Sequence, residues 1–107
     1  MAKYVLVYYG GSSGQTEKDR ADQMQQWGAW FGKLDKALAD GGNPFSGKVK
    51  TVAPSGGAKD GAIGQPQATG YSILEASSID QATEFAKGCP VLKTGGQISV
   101  YETFNAM

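Results

Sequence analysis

Glu75 sits inside the β-forming run Gly70-Tyr71-Ser72-Ile73-Leu74-Glu75-Ala76, where a carboxylate needs either a use or a partner. Half-buried among tyrosines, a carboxylate has its charged form disfavoured by desolvation, which suits a general acid or base. The plainer role is a carboxylate held by a Tyr hydroxyl or by a backbone amide of a second chain. Asp60 is the other candidate for proton transfer or ligand contact. It belongs to the pair Asp60-Gly61, which is equally an ordinary turn pair, chosen because glycine accepts positive φ. Tyr8, Tyr71, Tyr101 and Trp30 are the aromatic groups expected to line a ligand site.

Much other chemistry is bounded by composition. The 107 residues contain no His, which removes His-based triads, His-bearing zinc sites and any imidazole base. The single Cys89 excludes an internal disulfide framework and suits a reducing compartment. It follows Gly88 at the end of a helical run, where negative potential raises a thiol pKa. A small buried apolar residue is the better role for it than a nucleophile. No cluster of His, Cys or acidic residues has metal-ligand spacing, so neither a metal nor a cofactor is expected. Gly10-Gly11-Ser12-Ser13-Gly14 joins a strand to a helix start, a place that favours an anion. It meets neither nucleotide-binding fingerprint and serves equally as plain connection.

Ten Lys and Arg balance ten Asp and Glu, so the chain lacks the basic footprint of a nucleic-acid or acidic-membrane binder. No stretch approaches the roughly 20 apolar residues of a membrane helix. Nothing at the N-terminus resembles a signal peptide, so a cytoplasmic location is expected. The length predicts a single domain over 1–107.

These groups need elements to position them. Sixteen glycines, about twice the usual share, fall mostly at punctuation points and cut the chain into units. Lys3–Tyr9 is β-branched and aromatic and predicts a strand. Thr16 caps a helix whose stripe is Met24, Trp27, Phe31, Leu34 and Leu38, running to about Asp40 and ended by Gly41-Gly42. Trp30 lies off that stripe, at a cleft edge or a subunit contact. Gly28 and Gly32 strip one side of the same helix, which implies close approach of another backbone. Lys48–Ala53 predicts a second strand, residues 55–69 a Gly/Pro-rich loop most mobile over 55–66, and Gly70–Ala76 a third strand. Ser77 or Ser78 caps a second helix carrying Ile79, Ala82, Phe85 and Ala86, and Ile98–Phe104 closes the order βαββαβ. Two helices on one face of a four-stranded antiparallel sheet, the ferredoxin-like α+β sandwich, is the architecture this order favours.

Alternation then assigns the faces. With Val5, Val7, Leu74, Ile98 and Val100 toward the helices, the other face carries Leu6, Tyr8, Tyr71, Ile73, Glu75, Ser99 and Tyr101. A face that apolar does not stay wet, so a homodimer that covers it is expected.

The opening Lys3-Tyr4-Val5-Leu6-Val7-Tyr8-Tyr9-Gly10-Gly11, the pair Trp30-Phe31, the segment Gly70–Ala76 with Ser78-Ile79-Asp80-Gln81-Ala82, and the tail from Ala86-Lys87-Gly88-Cys89-Pro90 to Gly95–Val100 resemble the YCII-related domain. The likeness spans nearly the whole chain. It is nearest the branch with an Asp-Gly-Pro-Phe signature before the third strand, of which Asp60-Gly61 keeps the first half and Ala62-Ile63 departs from the second. The resemblance implies a ferredoxin-like fold dimerising through its sheets, of the dimeric α/β-barrel type, and no settled reaction. The founding branch has a His and Asp pair proposed as catalytic, and a chain without His cannot inherit it.

The expected function is therefore binding or transformation of a small molecule in a cleft between the sheet face and a dimer partner. Glu75 and Asp60 would carry any catalysis, and Tyr8, Tyr71, Tyr101 and Trp30 would line the cleft. The alternative is an accessory protein whose sheet face only makes the dimer. RNA binding shares the βαββαβ order, with Tyr8 and Tyr71 near the aromatic positions of an RNA-recognition motif. The neutral charge and the missing Lys/Arg signature argue against it.

Overall fold

The computed structural model describes residues 1–11 and 16–105. The helix caps follow the sequence. Thr16 Oγ1 accepts the Asp19 N–H at 3.0 Å to start α1 (Glu17–Leu34), and Ser78 Oγ accepts the Gln81 N–H at 3.1 Å to start α2 (Ile79–Ala86). The main sheet contains β1 (Ala2–Tyr9), β2 (Leu38–Asp40), β5 (Ala68–Ala76) and β6 (Gln97–Glu102) in the order β2-β5-β1-β6, all antiparallel. With two crossover helices on one side, this is the ferredoxin-like arrangement. Between β2 and β5 a separate hairpin stands apart, β3 (Lys50–Val52) paired with β4 (Ala58–Asp60).

Four sequence expectations are corrected. Helix α1 ends at Leu34, because Asp35 takes φ +48° and its N–H caps the Phe31 carbonyl. A short 3-10 turn follows, Asp35–Ala37, and Leu38 then enters the sheet opposite Leu74. Leu38 had the right spacing for the helical stripe, yet it reaches the same core from a strand. The sheet's fourth strand is accordingly β2 and not Lys48–Ala53, whose residues pair only within the hairpin. The expected loop at 55–69 contains β4 and the start of β5.

The fourth correction concerns parity. Tyr4, Leu6 and Tyr8 are the buried row of β1, beside Ser72, Leu74 and Ala76 of β5. In β6, Ile98 and Val100 stand opposite Tyr8 and Leu6 on this side. Trp27, Trp30, Phe31 and Leu34 of α1 cover this row, as do Ala82, Phe85 and Ala86 of α2. Leu6 and Leu74 are fully buried, each contributing about 2 kcal/mol of transfer free energy. Cys89 is buried in the same cluster, as the sequence suggested. Met24 is exposed, and a Cβ on Gly28 or Gly32 would meet open space, so this chain alone shows no backbone packed against that strip.

Candidate functional site

The outer face of the sheet has no helix over it. Its rows follow from the register. Lys3 stands beside Glu75, and Val5 stands between Ile73 and Tyr101. Val7 stands between Tyr71 and Ser99, and Tyr9 stands beside Gln97. The centre is apolar and half-buried, the ends are polar, and phenols lie between. At the Tyr9 end the segment Gly64–Pro66 rises beside the sheet. Together with Tyr9, Gln97 and Ser99 it walls an open groove of about 360 Å³. The Tyr9 hydroxyl is held above the usual phenol range, first by the Tyr101 hydroxyl and then by burial. Phe45 stacks on Tyr71 at 5.9 Å and 27°, extending the aromatic surface past β5. That placement depends on the Gly41-Gly42 turn, where Gly42 has φ +73° and a Cβ would run into the Tyr71 carbonyl.

Of the residues singled out in the sequence, Glu75, Tyr71 and Tyr101 are on this face. Glu75 is half-buried and makes no hydrogen bond or ion pair among the described residues. It is six residues along β1 from the Tyr9 groove, about 20 Å at strand rise. One chain therefore does not close a cavity around Glu75 and the tyrosines.

Tyr8 and Trp30 are elsewhere. Tyr8 faces the helices, 5% exposed, and donates to Ser72 Oγ at 2.6 Å; Ser72 in turn donates to the Gly41 carbonyl at 2.7 Å. Burial raises the Tyr8 hydroxyl far above its ordinary value, and the same cause pushes the neighbouring Cys89 thiol up to about 11. Trp30 is buried between the helices, its Nε1–H donated to the Phe85 carbonyl at 3.0 Å and its ring 5.7 Å from Trp27. Both act as core groups with satisfied polar atoms. Asp60 is on the exposed hairpin, its carboxylate 2.9 Å from Lys50 Nζ. The suggested anion-binding run Gly10–Gly14 has Ser12, Ser13 and Gly14 outside the described residues.

Sequence reading overlooked Tyr9, Gln97 and the loop Gly64–Pro66, and it placed Val5 and Val7 inside. The overlooked signal was Lys3, which shares parity with Val5, Val7 and Tyr9 and has no place under two helices. Among the described residues, no group of three or more His, Cys, Asp or Glu is placed to hold a metal, and no helix is long and apolar enough to cross a membrane.

No family model and no curated protein matches the chain. Among solved structures it is similar to 5-chloro-2-hydroxyhydroquinone dehydrochlorinase from Burkholderia phenoliruptrix AC1100, in complex with 2,5-dihydroxybenzoquinone. The TM-score is 0.54 and the identity 22%, over 96% of this chain and 95% of that one. The two share the fold from end to end.

Proposed function

We propose that the outer sheet face binds a small organic molecule beneath a second copy of the chain, the sheet-to-sheet dimer that the resemblance to YCII-related domains implies. The observation that carries this is an uncovered apolar centre, Val5, Val7 and Ile73, framed by Tyr9, Tyr71 and Tyr101 with the unpaired carboxylate of Glu75 at one end. A flat, oxygenated ring suits such a surface, apolar on its faces and hydrogen-bonding at its rim. The dehydrochlorinase of the same fold is named for a ring of that kind. Glu75 is the group for proton transfer, brought to the ring when the partner copy closes over the face. Asp60 joins such a site only if the hairpin of the other copy delivers it. The setting is the cytosol, where Cys89 stays a thiol.

Titration of 2,5-dihydroxybenzoquinone into isotope-labelled protein tests the reading. Amide shifts should move at Val5, Val7, Tyr71, Ile73 and Tyr101, and Glu75→Gln should keep fold and dimer while changing affinity about tenfold or more. Absence of shifts on this face rejects this ring as ligand. Unchanged affinity in Glu75→Gln rejects the role of the carboxylate. The accessory-protein reading has one observation in its favour. Lys3 stands directly opposite Glu75 in the β1–β5 register, so a dimer seam has a cation at hand to neutralise the carboxylate.

A further inference from the structure

The β3–β4 hairpin is an arm without a body to rest on. None of its six strand residues is buried, and beyond their mutual pairing the two strands have little contact with the rest of the chain. An isolated two-stranded hairpin is marginal in water. Val52 and Ala58 face each other across it, and Val52 is 69% exposed. Ile63, just past the arm, is 92% exposed and adjoins the Gly64–Pro66 wall of the Tyr9 groove.

Area and charge indicate what covers the arm. The chain exposes 7502 Å², whereas a compact monomer of this mass exposes about 5,700 Å². The excess is roughly twice the 800 Å² or so that each partner buries in a standard interface. Residues 48–60 carry Lys48, Lys50 and Lys59 against Asp60 alone, in a chain whose ten basic and ten acidic residues balance. The rest of the molecule is thus net acidic by two, a complement to the basic arm of another copy.

We propose that the arm docks on the body of a second copy of this chain, with Val52 and Ile63 as its apolar contacts and Lys48 and Lys59 toward carboxylates of the partner, Lys50 being paired with Asp60 within the arm. This deepens the covered-face reading and rests on it, since arm and groove meet at Ile63–Pro66. Sedimentation equilibrium of the wild type, Val52→Asp and the double Lys48→Glu, Lys59→Glu chain tests it, Lys50 being left in place because it pairs with Asp60 within the arm. Isotope-filtered NOEs in a dimer mixed from labelled and unlabelled chains supply an independent readout. The expected result is a dimer weakened about tenfold or more by either variant with unchanged circular dichroism, a wild-type dimer that loosens in high salt, and interchain NOEs from the Val52 and Ile63 methyls. A dimer indifferent to both variants, or NOEs confined to one chain, overturns the arm contact and leaves the covered face standing. A wild type that is monomeric at micromolar concentration overturns both. An arm that binds only an unrelated protein overturns the choice of a second copy.

Discussion

The two faces of the β5-β1-β6 sheet are built from similar residues and end in different states. On the inner face every polar atom is closed off: Tyr8 is bonded to Ser72, Ser72 to Gly41, and Trp30 to Phe85. No buried side-chain nitrogen or oxygen there lacks a partner among the described residues. On the outer face Val5, Val7 and Ile73 are comparably apolar, yet they stay half-exposed and Glu75 stands unpaired. Hydrophobicity therefore does not separate the core from the outer face in this molecule. What separates them is whether the polar groups have been satisfied within the chain.

The largest expected difference is between neighbours on β5. Leu74→Ala, at a fully buried position, should cost about 2–5 kcal/mol in urea denaturation. Ile73→Ala, one residue away on the other face, should cost about 1 kcal/mol or less where the protein is monomeric. Comparable losses under those conditions would erase the distinction.

Alkaline pH sharpens the same contrast. Burial raises the Cys89 thiol from 9.0 to about 11 and raises Tyr8 as well, so the folded state keeps protons that the unfolded chain releases. Stability from Cys89 is complete below pH 9 and declines as the pH rises through about 11. Cys89→Ala should make the denaturation midpoint fall less steeply over that window than in the wild type. A parallel decline would show that Cys89 is not protected by burial.

The smallest effect tests the exposed side of α1. Gly28 and Gly32 have open space where a Cβ would go, so Gly32→Ala should stabilise the helix by up to about 1 kcal/mol, read as a higher Tm. A loss of stability or of dimer would mean that another chain approaches this strip.

Long and capped elements were legible in the sequence. Thr16 and Ser78 mark both helix starts, and β1, β5 and β6 stand out as β-branched and aromatic runs. Strand β2 was not legible, since three residues between a 3-10 turn and two glycines carry no period of their own. Parity in β1 failed because both of its rows are apolar, and only Lys3 tags the outer one. Of the candidate site, Glu75, Tyr71 and Tyr101 could be found from alternation within their own strands. Tyr9 and Gln97 required the register between β1 and β6, and Gly64–Pro66 required the turn of a loop without periodicity.

The central position of β1 also governs how the chain is made. Its two partners begin at Ala68 and Gln97, so roughly 60 residues must be synthesised after Tyr9 before either edge can be paired. At about 5–20 residues per second that is an interval of about 3–12 s. During it the run Tyr4–Tyr9, uncharged and strongly β-forming, has both backbone edges open to any other strand. Shielding of the nascent Tyr4–Tyr9 run over that interval is thus a requirement separate from the stability of the finished sheet.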